Sequence, residues 1–179
     1  MEDLPRIAIT MGDPAGVGPE IIVKIFQDEW PHEFCHPLIV GDATCLRKTA
    51  VQFAPSVSVH PITSPEKALF TPGTLDVLDL GNVPASLPIG QPGAEGGKVA
   101  VECIRTAVDL ALSQKVDAIT TAPINKESIH RAGFAYPGHT ELLAEYTGAE
   151  NVALMLAGDV LRVVLVTTHV PLDAVKPLI

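Results

Sequence analysis

Aromatic residues are scarce in this chain, at 4% of 179 residues with a single tryptophan. A core built without them must be aliphatic, and runs of valine, isoleucine, leucine and alanine are the usual makeup of buried parallel sheets. Cysteine is scarce too. Cys35, Cys45 and Cys103 are odd in number and scattered, with no C-x-x-C pair, which argues against a disulfide framework and a cysteine zinc site. They read as small buried hydrophobes in a reducing compartment. Positive charge is also short: 12 Lys and Arg face 21 Asp and Glu, for a net charge of −9. A nucleic-acid partner needs a basic face to displace counterions, and no Lys/Arg cluster is present. An anionic small substrate is still allowed, because a few placed donors outweigh an unfavourable net field. No apolar run approaches the roughly 20 residues of a membrane span. The acidic start, Glu2-Asp3, leads into a strand and is unlike a signal peptide. The expectation is a soluble cytoplasmic protein without nucleic-acid or membrane partners.

What is present is enough to fold. Hydrophobic residues make up 47% and charged residues 18%, too apolar for disorder, and the length suits one domain, or one and part of another. Arg6–Thr10 predicts a strand, followed by a turn-rich loop and a helix from Pro19 to about Asp28, with proline well placed at its start. Leu38–Val40 predicts a buried strand, and Asp42 can cap a helix reaching Phe53. Strands are expected over 56–60 and 75–80, then an irregular loop over 81–97. Lys98–Leu112 carries the apolar stripe of an amphipathic helix. A strand over 117–122, helices over 126–131 and 140–146, and a hairpin of 151–156 with 161–167 about Gly158-Asp159 complete the pattern. The order is mostly strand, loop, helix, which argues for an α/β sheet with helices on its faces.

Five segments bear on chemistry. Gly12-Asp13-Pro14-Ala15-Gly16-Val17-Gly18-Pro19-Glu20 joins a strand to a helix, where α/β folds place ligands. Its glycines either let the backbone approach a ligand or satisfy a tight turn. It is not a dinucleotide fingerprint, since the third glycine would fall at Ile21. Gly97-Lys98 is not a phosphate loop, because Pro92 and Val99 occupy two required positions. His32-Glu33-Phe34-Cys35-His36 matches the zinc-peptidase pattern literally, but Pro31 and Pro37 flank it. A proline disfavours helix at the residue before it, so a rigid helix holding both histidines is not expected. His139-Thr140-Glu141 sits at a helix start, where Thr140 either caps the helix or, with the free N–H groups, binds phosphate or carboxylate. His169 ends a strand-like run thirty residues later. It is either structural or a ligand for an ion such as Zn²⁺ or Co²⁺.

Taken in series, the glycine-rich segment, Thr121-Ala122-Pro123-Ile124-Asn125-Lys126, Pro137-Gly138-His139-Thr140-Glu141 and the stretch from Leu161 through Thr167-Thr168-His169-Val170-Pro171-Leu172 resemble the 4-hydroxythreonine-4-phosphate dehydrogenase family of vitamin B6 biosynthesis. The resemblance covers the whole chain. It implies a two-part α/β fold like that of isocitrate and isopropylmalate dehydrogenases, with residues 1–124 in the first part and 125–179 opening the second. It implies a homodimer, NAD or NADP as cofactor, a divalent metal (Zn, Mg or Co), and a small phosphorylated hydroxy acid as substrate. His139 and Thr140 correspond to substrate-binding positions and His169 to the first of three metal histidines. The implied reaction oxidises and decarboxylates 4-phosphohydroxy-L-threonine to 3-amino-2-oxopropyl phosphate. An alternative substrate is another four-carbon sugar-acid phosphate of the threonate or erythronate 4-phosphate type. Family chains are roughly twice this length, so the sequence reads as an N-terminal half, truncated before the other metal ligands. A non-catalytic remnant is the rival from a different class.

Overall fold

The computed structural model describes residues 4–167 and 170–179. The chain divides into two compact units, Met1–Gly138 and His139–Ile179. The first is a five-stranded parallel sheet in the order β3-β4-β2-β1-β5. Its strands are β1 (Arg6–Thr10), β2 (His36–Gly41), β3 (Ser58–Ile62), β4 (Thr74–Asp79) and β5 (Ala118–Thr121). Register follows the pleat: Ala8 lies beside Leu38 and Ile119, and Ile39 beside Val77. Its buried centre is aliphatic, with Ala8, Leu38, Ile39, Val40, Leu75 and Val77 wholly covered.

Two helices, α1 (Gly18–Ile25) and α3 (Ala43–Phe53), pack on each other. Asp42 caps α3 as expected, accepting a hydrogen bond from the Cys45 N–H at 2.7 Å. From β4 the chain reverses direction. Helix α4 (Ala94–Leu112) carries it across β2 and β1 to the far edge, where β5 pairs with β1. A right-handed crossover in that direction puts α4 on the face opposite α1 and α3. Helix α5 (Lys126–Arg131), capped by Asn125, packs on α4, so the compact first unit runs past residue 124 to Gly138.

Three expectations shift, each for a physical reason. Helix α4 starts at Ala94 rather than Lys98, taking Gly96 and Gly97 into its first turn. Glycine there costs roughly 1 kcal/mol of helix propensity, but a β-carbon on Gly97 would lie 2.1 Å from the Ser128 carbonyl oxygen of α5. Strand β3 lies two residues later than expected and includes Pro61. As the sheet's edge strand, it tolerates a residue without an N–H. Finally, Pro31–Phe34 forms a one-turn helix, α2. Proline suits a first helical position, while Pro37 forces His36 into extended backbone and so begins β2.

The second unit holds α6 (His139–Thr147), the expected hairpin of β6 (Met155–Ala157) and β7 (Arg162–Val164), and a short α7 (Leu172–Val175). The hairpin is antiparallel and turns through Gly158–Leu161, where the Gly158 N–H donates to the Leu161 carbonyl at 2.9 Å. Its apolar side chains are uncovered: Leu156, Val160, Leu161, Val163 and Val164 are all exposed, Val160 at 98%. No helix among the described residues is long and apolar enough to cross a membrane.

Exposed apolar strands with a free edge template self-association. The 179-residue chain is therefore expected to associate at micromolar concentration. Replacing the paired residues Leu156 and Val163 by lysine should shift it towards monomer in size-exclusion chromatography with light scattering. A monodisperse, cooperatively melting monomer of the unaltered chain would count against this.

Candidate functional site

Loops gather at the carboxyl edge of the sheet, between the ends of β1 and β5, where the chain's direction of winding reverses. Open α/β sheets bind ligands at this topological switch point. Here the loop after β1 folds down onto the loop after β5. Gly12 takes a left-handed conformation, φ +74°, and a β-carbon on it would lie 2.3 Å from the Pro123 carbonyl oxygen. The Asp13 N–H then donates to that same carbonyl at 3.0 Å. Gly18 is equally constrained, because its β-carbon would lie 2.3 Å from the Met11 carbonyl oxygen. Gly12 and Gly18 therefore serve close packing of the protein's own backbone. Gly16 is the roomier one, lining the depression described next.

The start of α1 is a poorer anion site than its sequence suggests. Pro19 lacks an N–H, no side chain caps the helix, and Glu20 places a carboxylate in the first turn, paired with Lys24. A depression of about 140 Å³ opens instead beside Asp13, Gly16, Gly90, Gln91, Pro92 and Asn125. Asp13 is 3% exposed and accepts from the Ala15 N–H at 2.9 Å. Its carboxylate reaches the first turn of α4, where Gly96 leaves room: a β-carbon there would stand 2.5 Å from Asp13 Oδ1. The amino end of a helix favours a carboxylate. Asn125 spends its Oδ1 on the Ser128 N–H at 2.9 Å, leaving its amide nitrogen for any ligand. A carboxylate beside an amide donor suits hydroxyl groups better than phosphate. Asp13 carried no signal beyond its place in the loop, and Asn125 read only as part of a motif.

A larger cleft of about 550 Å³ lies between α1, α3 and the loop over 81–89, lined by Glu20, Asp42, Lys48, Gln52, Phe53 and Leu87 among others. Asp42 holds the loop as well as capping α3, since its Oδ2 accepts from the Val83 N–H at 3.1 Å. The volume is that of a small-molecule site.

Of the three cysteines, Cys103 is buried, while Cys35 and Cys45 are only partly covered. All three are free. Burial pushes the Cys45 thiol up to about 11 and the Cys103 thiol up to about 12, so neither supplies a thiolate at neutral pH. The zinc-peptidase pattern is divided between α2 and β2, so no single helix presents His32 and His36. His139, half-buried, and Thr140, exposed, are the first two residues of α6. His169 lies outside the described residues. Among those described, no three His, Cys, Asp or Glu side chains come together to hold a metal ion.

A parallel sheet wound in both directions from β1, with loops meeting at the reversal, belongs to the class of α/β proteins that bind small molecules at the sheet's carboxyl edge. Comparison with known proteins then narrows the class. The model of the family described as pyridoxal phosphate biosynthetic protein PdxA matches residues 33–179, and the chain belongs to that family. A D-threonate 4-phosphate dehydrogenase of Cupriavidus necator is 44% identical over 97% of the chain and 52% of its own length. A 4-hydroxythreonine-4-phosphate dehydrogenase of Desulforapulum autotrophicum is 42% identical over 98% of the chain and 52% of its own length. The crystal structure of a 4-hydroxythreonine-4-phosphate dehydrogenase from Burkholderia phymatum superposes with a TM-score of 0.91 at 45% identity, covering 97% of this chain and 53% of that one. The chain thus spans about half the length of the curated relatives it matches.

Replacing Gly12 by alanine tests the seam between the two loops. The left-handed backbone and the clash with Pro123 together predict a loss of roughly 2–4 kcal/mol in urea unfolding. Gly16→Ala should cost less than 1 kcal/mol, roughly that of an ordinary surface change. Equal losses at the two positions would contradict the packing role of Gly12.

Proposed function

We propose that this chain supplies the first part of a dehydrogenase that uses NAD or NADP and acts on a four-carbon phosphorylated hydroxy acid. In this reading it works as a cytoplasmic homodimer within the two-part, isocitrate dehydrogenase-like arrangement. The observation that carries it is the near-complete alignment of the chain, at 42–44% identity, with relatives named for two such substrates. The two names describe nearly one molecule. Both substrates carry a carboxylate at one end, a phosphate at the other and a secondary alcohol at C3; they differ in an amine or a hydroxyl at C2. Oxidation at C3 leaves a β-keto acid, which loses CO₂. With the amine the product is 3-amino-2-oxopropyl phosphate, and with the hydroxyl it is dihydroxyacetone phosphate.

A nicotinamide cofactor, when bound, would supply the hydride acceptor for oxidation at C3. This chain's own residues would bind and orient the substrate. The start of α6 offers the Thr140 hydroxyl, the His139 ring and first-turn N–H groups, a donor set for one anionic end of the substrate. The depression beside Asp13 and Asn125 suits a hydroxyl-bearing group. His169 is the residue we assign to a divalent metal (Zn, Mg or Co), whose chemistry would be to polarise the alcohol oxygen. One imidazole does not make a metal site, so the remaining ligands would come from elsewhere in a family-length protein.

The test is a family-length protein carrying this sequence, assayed for NADH or NADPH formation with 4-phosphohydroxy-L-threonine and with D-threonate 4-phosphate. Activity with the first, lower activity with the second, and none from the 179-residue chain alone is the expected result. A higher kcat/KM for D-threonate 4-phosphate would move the assignment to the second substrate. No turnover of either would overturn it. In that protein, His169→Ala should lower metal content and turnover together, because an incomplete ligand shell binds metal poorly. His139→Ala should raise KM while metal is retained. Elemental analysis beside steady-state kinetics separates them, and the reverse pattern would exchange the two roles.

A further inference from the structure

The connection from α1 to β2 turns at the amino edge of the sheet, the edge opposite the loops described above. Among the described residues, the hydrogen bonds of its one-turn helix α2 run to immediate neighbours. The His32 N–H donates to the Glu29 carbonyl, that of Glu33 to the Trp30 carbonyl, and that of Cys35 to the Pro31 carbonyl, at 3.0, 3.1 and 3.2 Å. What ties the turn to the body of the protein is side-chain packing. Pro31 is buried, and the His32 ring stands edge-on to Phe26, with centroids 5.6 Å apart. Phe26 is itself fully buried at the end of α1.

His32 is an unusual choice for that contact. Both of its ring nitrogens are buried, and among the described residues neither has a hydrogen-bond partner. The ring therefore sits comfortably only when neutral, since a charged imidazolium would bring two donors and no acceptor. Among the described residues, the charged or titratable groups that act on it electrostatically are Asp76 from β4 and His36 from β2, while Phe26, the residue after α1, gives it an uncharged ring contact. Asp76 cannot turn to help. Its Oδ1 meets His60 Nδ1 at 2.7 Å, and its Oδ2 accepts the Leu69 and Phe70 N–H groups at 3.0 and 2.8 Å.

We propose that His32 is an acid-released latch, whose protonation frees the Pro31–Phe34 turn from the sheet while the rest of the first unit stays folded. Burial holds the His32 ring below the ordinary 6.5; His36 acts in the same direction, and the Asp76 charge opposes both. The sign follows from linkage. Above pH 6.5 the ring is neutral whether docked or released, and docking is at full strength. As pH falls below 6.5 the released ring takes up a proton first, so docking weakens until the docked ring itself titrates. The released turn would expose Phe26, the partner His32 covers.

The chain's only tryptophan, Trp30, adjoins the latch and packs against Phe34, with ring centroids 6.4 Å apart. It reports on the turn without a label. In dilute solutions of the full chain taken from pH 8 to pH 5, Trp30 emission should shift reversibly with a midpoint below 6.5, while far-UV circular dichroism changes little. Hydrogen exchange at the Cys35 amide, corrected for its intrinsic pH dependence, should speed up about tenfold or more at the acid end. His32→Phe keeps the apolar contact and cannot take a proton, so it should lose both responses; His36→Gln should keep them. If His32→Phe does not fold, the His32 ring titration followed by NMR decides, with a midpoint below 6.5 expected. The proposal is overturned by unchanged Trp30 emission and Cys35 exchange over this range. It is equally overturned by the same response in His32→Phe, by its loss in His36→Gln, or by a His32 midpoint at or above 6.5.

Discussion

The carboxyl edge of the first unit depends on one close backbone approach, that of the loop after β1 to the carbonyl of Pro123 after β5. Gly12 permits it by adopting a conformation that disfavours every L side chain, and the Asp13 N–H then completes it with a hydrogen bond. Other features at that edge follow. With the loop folded down, the Asp13 carboxylate reaches the start of α4, and Gly96 has no β-carbon because the carboxylate occupies that space. The Ala15 carbonyl in turn accepts from the Gly90 N–H at 2.7 Å, anchoring the long connection that leads into α4.

That arrangement makes the glycine-rich segment a structural hinge-pin before it is a ligand loop. Of its three glycines, two are consumed by contacts between the protein's own main-chain atoms. Its chemistry lies in the side chains it positions, chiefly Asp13 beside Asn125. The same economy recurs where Asp42 caps α3 with one carboxylate oxygen and holds Val83 with the other. Buried carboxylates at this edge organise loops through N–H groups, which is how a charge is kept inside without a cationic partner.

The second unit is built on different terms. Leu142 of α6 is wholly buried, but the hairpin strands turn apolar side chains to solvent on both faces. A two-stranded hairpin is marginal on its own, and needs further strands or a helix to bury its surface. The chain spans about half the length of the curated relatives it matches.

Much of this was legible in the sequence. Strand β1, the Asp42 cap, helix α5 behind Asn125 and the hairpin about Gly158 are set by neighbours within a few residues, through pleat alternation, capping and turn chemistry. The family, too, lay in four local segments. What the sequence could not decide was the use made of its glycines and of His32. Gly96 and Gly97 read as loop because their helical cost is local, while their benefit lies at Asp13 and Ser128, distant along the chain. Pro61 obscured the extent of β3 because only strand order places it at an edge. Local pattern determined which elements form; the packing of segments distant along the chain decided which atoms could approach, and so which residues are free for chemistry.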